Sequence, residues 1–142
     1  MNKPERFRTA LLAALPDLAS DPQRLSIFVE KGKLVATGTE RAGWQYSYQL
    51  TAILQDFAGD MDTLATVVMA WVATEQPDML KNPAQSERGI RFECELMTSE
   101  LADISIEMDL TEAVYAGDDG TTFDHPAEPP ADLTGAWMWQ TN

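Results

Sequence analysis

Apolar residues near the start of the chain follow a helical period. They recur at spacings of three and four over residues 7–18, the pattern of a helix with one buried face. Pro4 suits the first turn of such a helix, and Pro16 predicts that the regular helix ends or bends near Leu15. Asp21-Pro22 then predicts the cap and first turn of a short second helical piece.

A second helical period begins at a Gly-Asp junction. Gly59 ends the preceding segment, and Asp60 can cap a helix by accepting from its free backbone N–H groups. Asp62 would complement the positive end of the helix dipole. The apolar stripe predicts a helix over residues 61–75 that packs deeply on the sheet, and Pro77 predicts its end.

The segment between the two helices has the period of strands. In residues 24–44, apolar and β-branched residues flank Glu-Lys-Gly-Lys at 30–33, which predicts a hairpin that turns there. From Trp44 onward, apolar and polar residues alternate, as in a strand with one buried face. Ile53 and Phe57 break the alternation, which indicates either a bulge or a second covered face.

Two more strands, each with one apolar face, follow the second helix. Residues 90–96 and 104–110 alternate apolar with charged or polar side chains, and the intervening residues 98–103 are long enough to reverse the chain. These features predict an antiparallel pair with acidic side chains toward solvent. Cys94 falls on the apolar row of its strand, so we expect it to be buried. Residues 113–116 extend or follow the last strand.

Length and composition complete the predicted architecture. The chain has 142 residues, of which 44% are hydrophobic, enough for one two-layer core. We predict an α+β domain over residues 1–117, with a mostly antiparallel sheet of about four to five strands on two main helices. Residues 118–142 form an acidic, Pro-containing tail that should be extended. Its aromatic end, Trp137, Met138 and Trp139, docks on a neighbouring chain, folds back on its own subunit or forms a final edge strand.

Charge limits the classes of partner. Acidic residues number 23 against 10 Lys and Arg, for a formal charge of -13, so we expect no sequence-specific nucleic-acid partner. The basic cluster Lys3, Arg6 and Arg8 is interpreted as the solvent face of the first helix. A single cysteine excludes an internal disulfide and suits a reducing compartment. No apolar run reaches the roughly 18 residues of a membrane span, so no membrane partner is expected.

Candidate chemistry is sparse. The only histidine, His125, lies in the tail, where it cannot be held in register with a nucleophile of the core. Asp56, Asp60 and Asp62 converge at the strand-to-helix turn. They could suggest acid-base chemistry, but capping and the helix dipole explain them with fewer assumptions. We predict no catalytic residues, metal or cofactor, and keep these three aspartates and the tail aromatics as candidate interaction residues.

Several segments of the chain resemble one phage family in the same order. The patterns DF-GD-D over residues 56–62 and AW…QPD over residues 70–78 are the most specific. On these residues the chain resembles the tail completion protein R family of contractile-tailed temperate bacteriophages. The similar segments are residues 24–34, 48–63, 69–79, 88–97 and 103–113.

This resemblance implies a structural protein of the virion tail, assembled in the cytoplasm of the bacterial host. It implies small α+β, tail-terminator-like subunits that self-associate, usually into a hexameric ring. The implied partners are other copies of the chain, the phage tail tube protein and a head completion or connector protein. Two other classes stay open: an acidic inhibitor or DNA mimic that binds a basic partner, and an enzyme with a carboxylate-based metal site.

Overall fold

The structure, a computed structural model, describes residues 1–37, 42–81 and 89–128. The described residues form a sheet, two main helices, shorter helical pieces and a short C-terminal strand. In chain order the elements are α1 (Lys3–Ala14), α2 (Pro16–Ala19), a 3-10 turn (Pro22–Arg24), β1 (Leu25–Ala36), β2 (Gly43–Phe57), α3 (Met61–Glu75), α4 (Asp78–Lys81), β3 (Ile90–Leu96), β4 (Ala102–Ala116) and β5 (Phe123–Asp124).

All strand pairs of the sheet are antiparallel. The strand order is β1-β2-β4-β3, and β5 pairs with the end of β4. Tyr115 pairs with Gly43 of β2 and with Asp124 of β5, so β5 lies on the same side of β4 as β3. The α+β class and the antiparallel sheet are therefore confirmed. β1 forms one edge, and β3, with the short β5 further along β4, forms the other.

The core lies between the two central strands and the helices. Even-numbered residues of β2 and β4 share one face, which we call the helix face; the opposite face we call the helix-free face. On β4 the buried row is Ala102, Ile104, Ile106, Met108, Leu110, Glu112 and Val114. This strict alternation over the whole strand is the pattern of a strand that is covered on one face.

The two main helices pack on each other above the sheet. Phe7 of α1 and Trp71 of α3 contact edge to face, with ring centroids 4.9 Å apart, a favourable aromatic geometry. The predicted end of α1 near Leu15 is confirmed, because α1 ends at Ala14 and Pro16 starts a separate helix. The predicted bounds of α3 are confirmed as well.

The hairpin turn predicted at residues 30–33 is wrong. β1 runs unbroken through these residues and pairs with β2 on both sides of them, with Glu30 opposite Gln49 and Lys33 opposite Ser47. The register shift between these pairs is a bulge, and Lys31 takes a positive φ of 53° there. The bulge accommodates one extra residue of β1, and Lys31 adopts the left-handed conformation there. The chain therefore reverses only after β1 ends at Ala36.

The expected burial of Cys94 is also wrong. Cys94 is exposed, and its neighbours on the helix face, Phe92 and Leu96, are 61% and 78% exposed. The alternation of β3 does point these side chains to the helix face, opposite buried residues of β4. Because β3 is an edge strand, the helices cover β2 and β4 but leave the outer row open.

The chain folds back toward its start after β4. Residues 118–128 lead through β5 to Glu128, which forms an ion pair with Lys3 at 2.8 Å. The division into a domain over residues 1–117 and a tail over 118–142 stays a prediction. Within the described ranges, no helix is long and apolar enough to cross a membrane.

Candidate assembly surface

The predicted aspartates at the strand-to-helix corner lie where expected. The carboxylate of Asp60 accepts from the backbone N–H of Thr63 at 3.1 Å and from its hydroxyl at 3.2 Å, as an N-cap does. Asp62 lies in the first turn of α3, where its charge favours the helix dipole. Both side chains therefore stabilise the start of the helix.

Asp56 has a backbone role. It is the left-handed residue of a second bulge, with φ of 51°, between the pairs Leu54–Ile104 and Phe57–Ala102. Its N–H donates to the Asp103 carboxylate at 3.0 Å, and its C=O accepts from the Arg24 guanidinium at 2.8 Å. These hydrogen bonds hold the backbone at the corner between β2 and α3.

The three aspartates do not form a metal site. Across residues 1–37, 42–81 and 89–128, no group of three or more His, Cys, Asp or Glu side chains is arranged to hold a metal ion. The remaining predicted interaction residues, Trp137, Met138 and Trp139, lie outside the described residues.

A buried polar network that the sequence interpretation missed lies under the start of α1. Lys3 was predicted to face solvent, but it is only 2% exposed, so that interpretation is wrong. Its ammonium donates to the Gln76 side-chain oxygen at 2.8 Å, to the Thr111 carbonyl at 2.6 Å and to Glu128 at 2.8 Å. Three acceptors satisfy the three donors of the buried charge.

Glu112 occupies the other half of the network. Its carboxylate accepts from the Asn2 N–H at 2.7 Å, the Lys3 N–H at 3.3 Å and the Tyr48 hydroxyl at 2.7 Å. Burial, and next the hydrogen bond to Glu112, raise the pKa of Tyr48 above its ordinary value. The network connects α1, β2, β4 and Gln76, the residue directly after α3.

A signal for this network is present in the sequence. Glu112 is the one charged side chain in the buried row of β4. A carboxylate in an otherwise apolar row must find donors, because an unpaired buried charge is costly. The pattern did not reveal which residues supply those donors, since they lie 64 to 110 positions away along the chain.

Both edges of the sheet expose apolar side chains. On β3 these are Phe92 and Leu96, followed by Met97. On β1, Leu34 is 70% exposed on the helix face, and Phe28 is 47% exposed on the helix-free face. The remaining large apolar side chains of β1 that are exposed are Val29 and Val35.

The two edges differ in charge. β1 carries one acid, Glu30, and two lysines, Lys31 and Lys33, near its bulge, whereas β3 carries Glu93 and Glu95 on the helix-free face. Within the described part of the chain, none of these five forms an ion pair. The third charged residue of β3, Arg91, is held by Glu107, Asp109 and Gln49 across the helix-free face.

Comparison with known proteins gives the chain a family. The family model described as P2 phage tail completion protein R (GpR) matches residues 1–129. Tail completion protein R of Escherichia phage P2 is 33% identical over 132 residues, which cover 92% of this chain and 85% of the relative. No solved structure gives a significant match. The chain therefore belongs to the P2 phage tail completion protein R family, structural proteins of phage tail assembly.

Proposed function

We propose that the protein completes the tail by self-association, as a ring of identical subunits that caps the tail tube and prepares it for the head. The observation that carries this proposal is the pair of sheet edges, each with exposed apolar side chains beside a well-packed core. Soluble monomers rarely leave such rows open without an interaction partner. Edge strands with unpaired backbone groups are templates for association.

The body of the subunit suits a ring component. The network around Lys3 and Glu112 ties α1 to the sheet, and the contact between Phe7 and Trp71 ties α1 to α3. A rigid body with different surfaces on its two edges makes head-to-tail contacts, which close into a ring when the rotation per subunit fits. The faces at the two ends of such a ring would bind the tail tube protein and a head completion or connector protein.

Tail assembly with and without the protein tests this function. The gene is deleted from its phage, and isolated tails are imaged by electron microscopy, with the intact chain supplied in trans as the control. We expect tails of irregular length that fail to join heads, and normal virions when the chain is restored. Tails of normal length joined to heads in the deletion would overturn the proposal.

A further inference from the structure

We propose that edge strand β1 of one subunit pairs antiparallel with edge strand β3 of the next copy, so that one sheet continues through the assembly. This inference rests on the proposed function, since it needs copies that associate head to tail. It assigns the contact to two strands, whose ranges are Leu25–Ala36 and Ile90–Leu96.

Strand direction permits this pairing. Each neighbouring pair in the order β1-β2-β4-β3 is antiparallel, so β1 and β3 run in opposite directions. If the next subunit is placed beside β1 in the same orientation, its β3 arrives antiparallel to β1. The hydrogen-bonding pattern of the sheet then continues across the boundary, and the helices of both subunits stay on the same face.

Side-chain chemistry matches across this boundary. In a register that keeps the faces aligned, Leu34 lies beside the open apolar row of β3, which contains Phe92 and Leu96. On the helix-free face the same register places Lys33 beside the row that carries Glu93 and Glu95. Cross-strand apolar pairs and pairs of opposite charge are both stabilising.

Charge also selects this pairing over the symmetric alternatives. β1 has a net formal charge of +1 from Glu30, Lys31 and Lys33, and β3 has -1 from Arg91, Glu93 and Glu95, so two β1 strands or two β3 strands would bring net like charge together. Like charges opposite each other destabilise a strand pair. The lysines and the bulge of β1 are devices that protect an edge, and here they exclude a second β1 while they attract an acidic β3.

A cysteine scan tests the pairing in assembled tails, because the chain has one cysteine, Cys94, on the helix face of β3. Single cysteines are introduced on the helix face of β1 by Ile27→Cys, Val29→Cys, Leu34→Cys and Ala36→Cys. Together they allow for different registers. The matched controls Phe28→Cys and Val35→Cys place the thiol on the helix-free face of the same strand.

We expect at least one helix-face variant to give a disulfide ladder that extends past the dimer after mild oxidation of the tails. The controls should give roughly tenfold less product, because side chains on opposite faces do not reach disulfide geometry. Wild-type tails should show no cross-linked dimer, and Cys94→Ser should abolish each ladder.

Three outcomes would overturn the pairing. Dimers of the wild-type chain would show two β3 strands together, and dimers of a β1 variant that also carries Cys94→Ser would show two β1 strands together. A ladder that appears only after removal of residues 129–142 would show that the C-terminal segment covers an edge.

The failure of this inference is distinguishable from the failure of the proposed function. If tails carry the protein, reach normal length and join heads, yet no β1 variant cross-links, the edges are not the contact and the function stands. If tails that join heads contain no copy of the chain, the function itself is wrong.

Discussion

Single polar side chains inside apolar rows determine much of this fold at the scale of residues. Lys3 and Glu112 are 2% and 5% exposed, and each has enough partners to offset the loss of hydration. Removing one partner of such a buried charge costs more than the hydrogen bond itself contributes, because the charge stays buried. The network therefore fixes where α1 begins on the sheet.

Tyr48→Phe should lower the free energy of unfolding by about 1–3 kcal/mol at neutral pH, because the Glu112 carboxylate loses a buried donor. The wild-type chain should also lose stability at alkaline pH. Burial, and next the hydrogen bond to Glu112, raise the pKa of Tyr48 in the folded protein. Above pH 10 the unfolded chain therefore gives up this proton while the folded chain keeps it.

The direction in which stability changes with pH follows from this difference in protonation between the folded and unfolded chains. The contribution of the raised pKa is fully present below the unfolded pKa of about 10 and is lost at up to about 1.4 kcal/mol per pH unit above it. Urea unfolding of the wild-type chain and of Tyr48→Phe from pH 8 to pH 11 checks this prediction. All other groups that titrate at alkaline pH are present in both proteins, so a difference in slope reports Tyr48. Equal alkaline slopes for wild type and Tyr48→Phe would contradict the prediction.

The residue roles that could be predicted from the sequence are local ones. Asp60 is recognisable as a cap because its partner, Thr63, lies three positions away. Lys3 is not, because its acceptors Gln76, Thr111 and Glu128 are remote in the chain. A lysine beside Pro4 in the first helical turn has the pattern of a solvated residue until the folded chain supplies those partners.

At the scale of elements, two bulges shape the long strands. Each places a side-chain-bearing residue in the left-handed region: Lys31 on β1 and Asp56 on β2. This conformation costs about 1–2 kcal/mol for most residues, and least for Gly, Asn and Asp. The bulge at Asp56 shifts the register just before α3, so it sets the direction in which that helix leaves the sheet.

Asp56→Val should therefore lower the free energy of unfolding by about 1–2 kcal/mol, because a β-branched residue is strained at positive φ. Asp56→Gly should leave stability nearly unchanged, since the Asp56 contacts at the corner are made by its backbone. Gln55→Val, at the neighbouring exposed position, is the control. Thermal unfolding measures the relative stabilities of the three variants. Equal losses of stability for Gln55→Val and Asp56→Val would show that the positive φ at position 56 is not the cause.

The periodicity of the sequence predicts the helices and strands themselves, but it does not predict which elements lie next to each other in the fold. The 61–75 helix was predictable because its cap, apolar stripe and proline stop agree with one another. The alternation of β3 correctly indicated which side chains face the helices. It gave no information on strand order, so the exposed edge position of Phe92 and Cys94 had no signal in the sequence.

At the scale of the whole molecule, the two ends of the described chain meet. Lys3, at the start of α1, contacts Glu128 after β5, and β5 pairs with the last residues of β4. The net charge of -13 keeps copies apart over most of the surface. In the proposed assembly, the lysines of β1 provide a place where this repulsion is relieved.

A chain that ends at Glu128 should be more stable than one that ends at Gly120 by about 1–3 kcal/mol, because the shorter chain leaves the buried Lys3 ammonium one acceptor short. The shorter chain also loses the pairing of β5 with Tyr115 and Ala116. Urea unfolding of the two chains measures the difference. Glu128→Gln in the intact chain is the control and should cost less, since its amide oxygen can still accept. Coincident midpoints for the two truncations would contradict the expectation.

The length of the central strands sets a dimension that images can report. β2 and β4 each have fifteen residues, and a strand rises about 3.3 Å per residue, so each extends for about 50 Å. If the strands stand along the tail axis, the terminal layer of density should be about this thick. A much thinner layer would mean that the strands lie across the tube, which would place the long side of each subunit, and not an end, toward the head.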